Sequence, residues 1–124
     1  MMRTVLKSKI HRATITDAEL QYEGSLTLDP DLMAAADLLA YERILVVNFN
    51  NGSRLETYVI VGEKGSGTVG LNGPSVRLGH VGDLVTIMGF AIVDDAEAKS
   101  VRPRIVLVDE SNRVKKVKTG SIQD

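Results

Sequence analysis

A serine that follows a glycine can turn its hydroxyl on the carbonyl just before it. Gly24-Ser25 stands in such a position, within Tyr22-Glu23-Gly24-Ser25-Leu26 and shortly after Lys9 and His11. An acyl shift to that hydroxyl, followed by β-elimination, would cut the chain between the two residues. Residue 25 would then be a pyruvoyl group at a new N-terminus, a ketone able to form a Schiff base with an amine. Glycine at 24 suits this chemistry, because a Cβ would block strained conformations of that peptide. The dipeptide alone is ordinary, since Gly52-Ser53, Gly65-Ser66 and Gly120-Ser121 repeat it. Only the surroundings can separate one candidate from three turns.

Two further groups of residues bear on the question. In a strand, Lys9-Ile10-His11 puts Lys9 and His11 on one face and Ile10 on the other. In Ser53-Arg54-Leu55-Glu56-Thr57-Tyr58-Val59, Arg54 and Tyr58 share a face while Thr57 points away. A single site using all three would need a twisted or bulged strand, or a place at a sheet edge. The chain has no cysteine, which removes disulfides, thiolate catalysis and cysteine-ligated zinc. His11 and His80 have no metal-ligand spacing; His80, in Gly79-His80-Val81-Gly82, suits a turn.

The elements that must position these residues are mostly strands. Short apolar runs rich in β-branched residues predict strands at Thr4–Ile10, Arg12–Thr16, Ile44–Phe49, Leu55–Val61, Leu84–Val93 and Arg104–Val108. Asn50-Asn51-Gly52 predicts a tight hairpin between two of them. Asp29-Pro30-Asp31 starts a helix through Leu32-Met33-Ala34-Ala35-Ala36-Asp37-Leu38-Leu39, with Asp29 as its cap. A second, weaker helix is predicted from Pro74 and should stop before Gly79. Gly62 to Gly73 reads as a loop, and Ser111 to Asp124 as a polar tail, mobile at its end. Short strands with one or two short helices fit a small closed barrel better than a two-layer α/β sheet.

The 124 residues suit one domain with a modest core. Fifteen Lys+Arg against 16 Asp+Glu give no global field for nucleic acid or an anionic membrane. The N-terminus lacks the apolar run of a signal peptide, and no run is long enough to cross a bilayer. A soluble cytoplasmic protein is therefore expected. The basic residues Arg113, Lys115, Lys116 and Lys118 read as a solvated face.

Taken together, Lys9-x-His11, Tyr22-x-Gly24-Ser25-Leu26-Thr27, Asn51-Gly52-x-Arg54-x-x-Thr57-Tyr58, Asn72-Gly73, Gly82-Asp83 and Pro103-x-x-Val106-x-Val108-Asp109 resemble the pyruvoyl-dependent aspartate 1-decarboxylase family in order and spacing. Each motif is weak alone; their joint order is specific and spans almost the whole chain. The resemblance implies a proenzyme cut between Gly24 and Ser25 into a β chain, 1–24, and an α chain, 25–124. It implies a mainly β double-psi β-barrel with one or two short helices, assembled as a homotetramer with sites between subunits. The implied reaction converts L-aspartate to β-alanine and carbon dioxide for pantothenate biosynthesis, on a covalent pyruvoyl cofactor derived from Ser25.

Among site residues, the resemblance implies Tyr58 as proton donor and Thr57, Gly73, Pro74 and Ser75 as substrate contacts. Lys9, His11, Arg54, Tyr22 and Asn72 line the site or assist cleavage. Arg54 suits the substrate β-carboxylate, since its planar fork matches two oxygens and keeps its charge; Lys9 adds positive potential, and the reverse pairing with the two carboxylates stays open. Where the family usually has alanines after Asn72-Gly73, this chain has Pro74-Ser75-Val76. Pro74 offers no backbone N–H. The sequence leaves open whether maturation needs a helper protein. The competing readings are a small β-barrel binding module, in which Gly24-Ser25 is only a turn, and an uncut structural homologue. Few aromatics and balanced charge disfavour single-strand nucleic acid binding.

Overall fold

A computed structural model describes residues 1–120 and is mainly β. Its strands are β1 (Met2–Thr14), β2 (Asp17–Glu19), β3 (Ser25–Leu28), β4 (Arg43–Asn48), β5 (Arg54–Val61), β6 (Val69–Asn72), β7 (Leu84–Asp94), β8 (Arg104–Val108) and β9 (Val114–Thr119). Helices α1 (Pro30–Ala36) and α2 (Asp95–Ala98) and a 3-10 helix over Gly73–Leu78 complete it.

The strands close on themselves. Starting from β1, hydrogen-bonded neighbours run β7, β4, β5, β3 and β6. β6 then pairs with β2, which continues β1 after two residues. The join is made by Ile15 N–H on Asp83 O and Thr16 N–H on Val69 O, both at 2.9 Å. Closure removes the exposed edges that a six-stranded open sheet would carry. β3·β5 and β2·β6 are parallel while β3·β6, β4·β5, β4·β7 and β1·β7 are antiparallel. This mixed ring agrees with the expected barrel. Ile10, Leu26, Leu28, Ile44, Val59 and Ile87 fill it, each at most 1% exposed. Aliphatic side chains suffice, as the low aromatic content requires.

Most expected strands are present, with instructive differences. Thr4–Ile10 and Arg12–Thr16 are one strand interrupted by a bulge: the register with β7 shifts between Ile10 and Ala13, and Arg12 takes φ 60°. The segment read as a loop contains β6, whose Gly70 is sandwiched between Asp17 and Thr27; a Cβ there would lie 3.4 and 3.5 Å from theirs. Four residues around such a glycine give too little apolar signal to stand out. The tail is also not loose. β9 pairs with β8, and its lysines are those of a charged edge strand. Asn112 anchors its start, 2% exposed, bonding Thr14 N and O at 2.8 Å and Gly67 O at 2.7 Å. Residues 121–124, the end of the expected tail, lie outside the described residues.

The hairpin forms as expected, with Gly52 at φ 74° and its N–H on Asn48 O at 2.9 Å. Helix α1 stops three residues early, because Asp37 turns left-handed and caps it. The helix expected from Pro74 is present in 3-10 form. Asp29 does more than cap α1. Its carboxylate, 1% exposed, accepts Asp31 N–H at 2.8 Å, Gly65 N–H at 3.0 Å and Gly67 N–H at 2.8 Å. Burial acts to raise its pKa, but those amides and Arg113 hold it below the ordinary carboxylate value.

Asp29→Ala should therefore cost about 1–2 kcal/mol for the cap and about 1–3 kcal/mol for the stranded Gly67 amide. Asp29→Asn should recover part of that loss. Because the folded pKa is depressed, the carboxylate's contribution is complete above its unfolded pKa and disappears as pH falls through the folded one. Urea unfolding of the wild type and Asp29→Asn at neutral and acidic pH checks this. The gap between them should narrow in acid; a constant gap would contradict it.

Candidate active site

Ser25 opens β3, directly opposite Asn72 at the end of β6. Its side chain is buried, and the residue is 1% exposed. Ser25 Oγ accepts from Asn72 Nδ2 at 3.0 Å and donates to Glu23 O at 3.1 Å. Asn72 Nδ2 also donates to Thr27 Oγ1 at 2.8 Å. The Asn72 amide is thus committed to β3, and although Asn72 is the N-cap residue of the 3-10 helix, its side chain makes no capping bond there.

The remaining Gly-Ser pairs look different. Gly52 and Gly65 have φ 74° and 79° in turns, Ser53 Oγ donates to Leu78 O, and exposed Ser66 bonds Glu63 O and Thr68. Ser121 lies outside the described residues. Of the three described pairs, Gly24-Ser25 alone has a buried serine hydroxyl facing a cleft.

Gly24 itself departs from expectation. It lies outside the left-handed region, and a Cβ there would make only an ordinary 3.6 Å contact with Pro74 Cδ. The positive φ, 64°, belongs to Gly73. A Cβ on Gly73 would lie 2.7 Å from Tyr22 O and 2.8 Å from Gly24 N. Gly73 therefore lets the 3-10 helix press against the backbone that leads into Ser25. Gly73→Ala should combine left-handed strain with this clash and destabilise the fold by at least about 1–2 kcal/mol. Urea unfolding measures it; an unchanged midpoint would remove this role from Gly73.

An open cleft of about 380 Å³ joins Ser25 to Tyr22, Tyr58, Gln21, Glu23 and Ile60. The alternation of the strands explains this lining: Leu26 and Val59 point to the core, so Ser25, Tyr58 and Ile60 point away from it. Tyr22 is 63% exposed at the rim. The Tyr58 hydroxyl has no hydrogen bond among the described residues. Half-buried Thr57 pairs with buried Ile44 on the alternate face. β5 keeps an unshifted register with β4 from Arg54 to Tyr58, so no bulge brings Thr57 round to Tyr58.

Lys9, His11 and Arg54 stand elsewhere. Lys9 and His11 are half-buried on β1 and alternate with buried Ser8 and Ile10, so they share a face as expected. His11 lies edge-on to Phe49 with centroids 5.9 Å apart, and its buried Nδ1 has no hydrogen-bond partner. Burial, and then the charges of Lys9 and Arg12, lower its pKa. Arg54 is exposed, without an ion pair among the described residues, and lies outside the Ser25 cleft. His80 belongs to a turn as expected: its N–H donates to Asp83 Oδ2 at 2.9 Å and its carbonyl accepts Asp83 N–H at 3.0 Å. No cluster suited to a metal ion occurs among the described residues.

A family model described as aspartate decarboxylase matches residues 1–115. The chain belongs to the aspartate decarboxylase family. A protein named aspartate 1-decarboxylase from Thermoanaerobacter pseudethanolicus is 52% identical over 113 residues, covering 91% of this chain and 97% of the relative. One of the same name from Acetivibrio thermocellus is 53% identical over 119 residues, or 96% and 94% of the two chains. A computationally designed protein, msDPBB_sym2, matches 70% of this chain and 99% of its own at 19% identity and a TM-score of 0.44. Of the expected site, one chain brings Tyr22, Gly24, Ser25, Tyr58, Asn72, Gly73 and Pro74 together. Lys9, His11 and Arg54 remain outside the cleft.

Proposed function

We propose that the chain is an aspartate 1-decarboxylase, converting L-aspartate to β-alanine and carbon dioxide with a pyruvoyl group made from Ser25. The observation that carries this reading is the buried Ser25 hydroxyl, held by Asn72 in a cleft shared with Tyr58. The binding-module reading gives no reason for that constellation.

Maturation begins when Ser25 Oγ attacks the Gly24 carbonyl carbon. The peptide C–N bond breaks, and an ester forms. Removal of the residue 25 α-proton then breaks the Cβ–Oγ bond and releases Gly24 as a carboxylate. Water replaces the nitrogen left on residue 25. One water is consumed, one ammonia departs, and chains 1–24 and 25–124 remain. The donor set fits the product, because the Asn72 amide that now donates to an sp³ oxygen can donate equally to a carbonyl. When present, the ketone supplies an electron-accepting carbonyl for loss of the substrate α-carboxylate.

Tyr58 delivers the proton that replaces carbon dioxide, its phenol hydroxyl lining the Ser25 cleft as a general acid. The Gly73 and Ser75 amides contact substrate while Pro74, without an N–H, shapes the wall beside Gly24. Thr57, on the strand's other face opposite Ile44, does not line this cleft. Arg54 takes the β-carboxylate with Lys9 adding positive potential, and neutral His11 can relay protons. Arg54, Lys9 and His11 do not line the Ser25 cleft of their own chain. That placement supports sites shared between subunits of a homotetramer, with Arg54, Lys9 and His11 of one copy serving the Ser25 cleft of another. A cytoplasmic place in pantothenate biosynthesis follows from the product, and no described helix is long and apolar enough to cross a membrane. Purified, fully cut protein should release equal amounts of β-alanine and carbon dioxide from L-aspartate; cut protein that releases neither would overturn the proposal.

A further inference from the structure

Tyr41 holds a backbone conformation that a bulky residue adopts only at a cost. Its φ of 70° is left-handed, a region that asparagine and glycine enter more readily. Its side chain does not offset the strain by burial, since the residue is 77% exposed. The corner is nevertheless fastened from both sides. Tyr41 N–H donates to Val59 O at 2.7 Å, and Val59 N–H donates to Glu42 O at 3.1 Å. The Glu42 carboxylate accepts Leu39 N–H at 3.0 Å and pairs with Lys7 Nζ at 3.1 Å. These bonds lock the corner to the residue that follows Tyr58.

What the corner presents is a ring. The Tyr41 and Tyr58 centroids lie 6.4 Å apart, with planes 36° from parallel, inside the range of about 4.5–7 Å over which aromatic pairs attract. With no hydrogen bond on its hydroxyl among the described residues, Tyr58 depends on packing for its orientation. We infer that Tyr41 is a positioning residue for Tyr58, its ring holding the phenol at the mouth of the Ser25 cleft. This rests on the reading of Tyr58 as proton donor.

In Tyr41→Asn the left-handed backbone and its bonds to Val59 are kept, and only the ring is lost. Its kcat should fall about 2- to 10-fold at an unchanged KM for aspartate. Tyr41→Phe, which keeps a ring beside Tyr58, should restore the rate. With three tyrosines and no tryptophan, and with the same chromophore removed in both variants, near-ultraviolet circular dichroism compares Tyr58 with and without the packed ring; Tyr41→Asn should give the weaker tyrosine signal. A role confined to the backbone corner would leave Tyr41→Asn as fast as wild type with the same tyrosine signal as Tyr41→Phe, and that result overturns the inference. The parallel variant Tyr58→Phe separates the two claims. If it turns over normally, the donor reading falls and the inference with it; if it is slow while Tyr41→Asn is fast, only the positioning claim falls.

Discussion

Ser25→Ala is expected to give one uncut chain with no aspartate decarboxylation above background. In the proposed maturation this variant removes the attacking Oγ and with it the source of the ketone. The other described Gly-Ser pairs cannot substitute: Ser53 Oγ donates to Leu78 O and Ser66 Oγ to Glu63 O, and both serines lie outside the cleft. The loss should not come from unfolding. Alanine is smaller than the buried serine, and Asn72 Nδ2 retains its 2.8 Å bond to Thr27, so the stability cost should be about 1 kcal/mol. Electrophoresis and thermal melting of the same preparation separate the two explanations. Two fragments from Ser25→Ala would remove the serine from the cleavage chemistry.

Tyr58→Phe should cut itself normally, bind aspartate with little change in KM, and turn over about 10²- to 10⁴-fold more slowly, the range over which a positioned general acid acts. The direction of the split matters. Under the proposed donor role, loss of the hydroxyl removes the proton delivered in the transition state, whereas phenylalanine preserves the ring packed 6.4 Å from Tyr41, and thus the wall of the cleft. A raised KM with an unchanged kcat would make Tyr58 a binding residue. An unchanged kcat and KM would remove it from the reaction altogether.

Much of the fold was legible because its strongest signals are local. Asn50-Asn51-Gly52 specifies its hairpin through local conformational preference, and Asp29-Pro30 starts α1 by capping. What escaped depends on which strands pair. β6 is a strand because β3 and β2 flank it, and β9 because β8 offers it an edge; neither has the apolar period that marks a strand by itself. The bulge at Arg12 divides β1 just where its pattern reads as two strands.

The site divides along the same line. Ser25, Asn72 and Tyr58 follow from motif order, and the barrel brings all three to the cleft. The strain expected at Gly24 sits instead at Gly73, because contact between the 3-10 helix and the Tyr22–Gly24 backbone is a tertiary fact. Asn72-Gly73 carried the available signal for it, being a pair that tolerates positive φ. Tyr41 carried none, since its conformation is imposed by bonds to Val59.

The central claim is that Gly24-Ser25 is consumed to make the cofactor, and intact mass of the purified wild-type protein tests it most directly. Two chains separated after Gly24 are predicted, the larger lighter by one ammonia than a chain that begins with serine. A single chain of full mass that persists after prolonged warming would contradict the account.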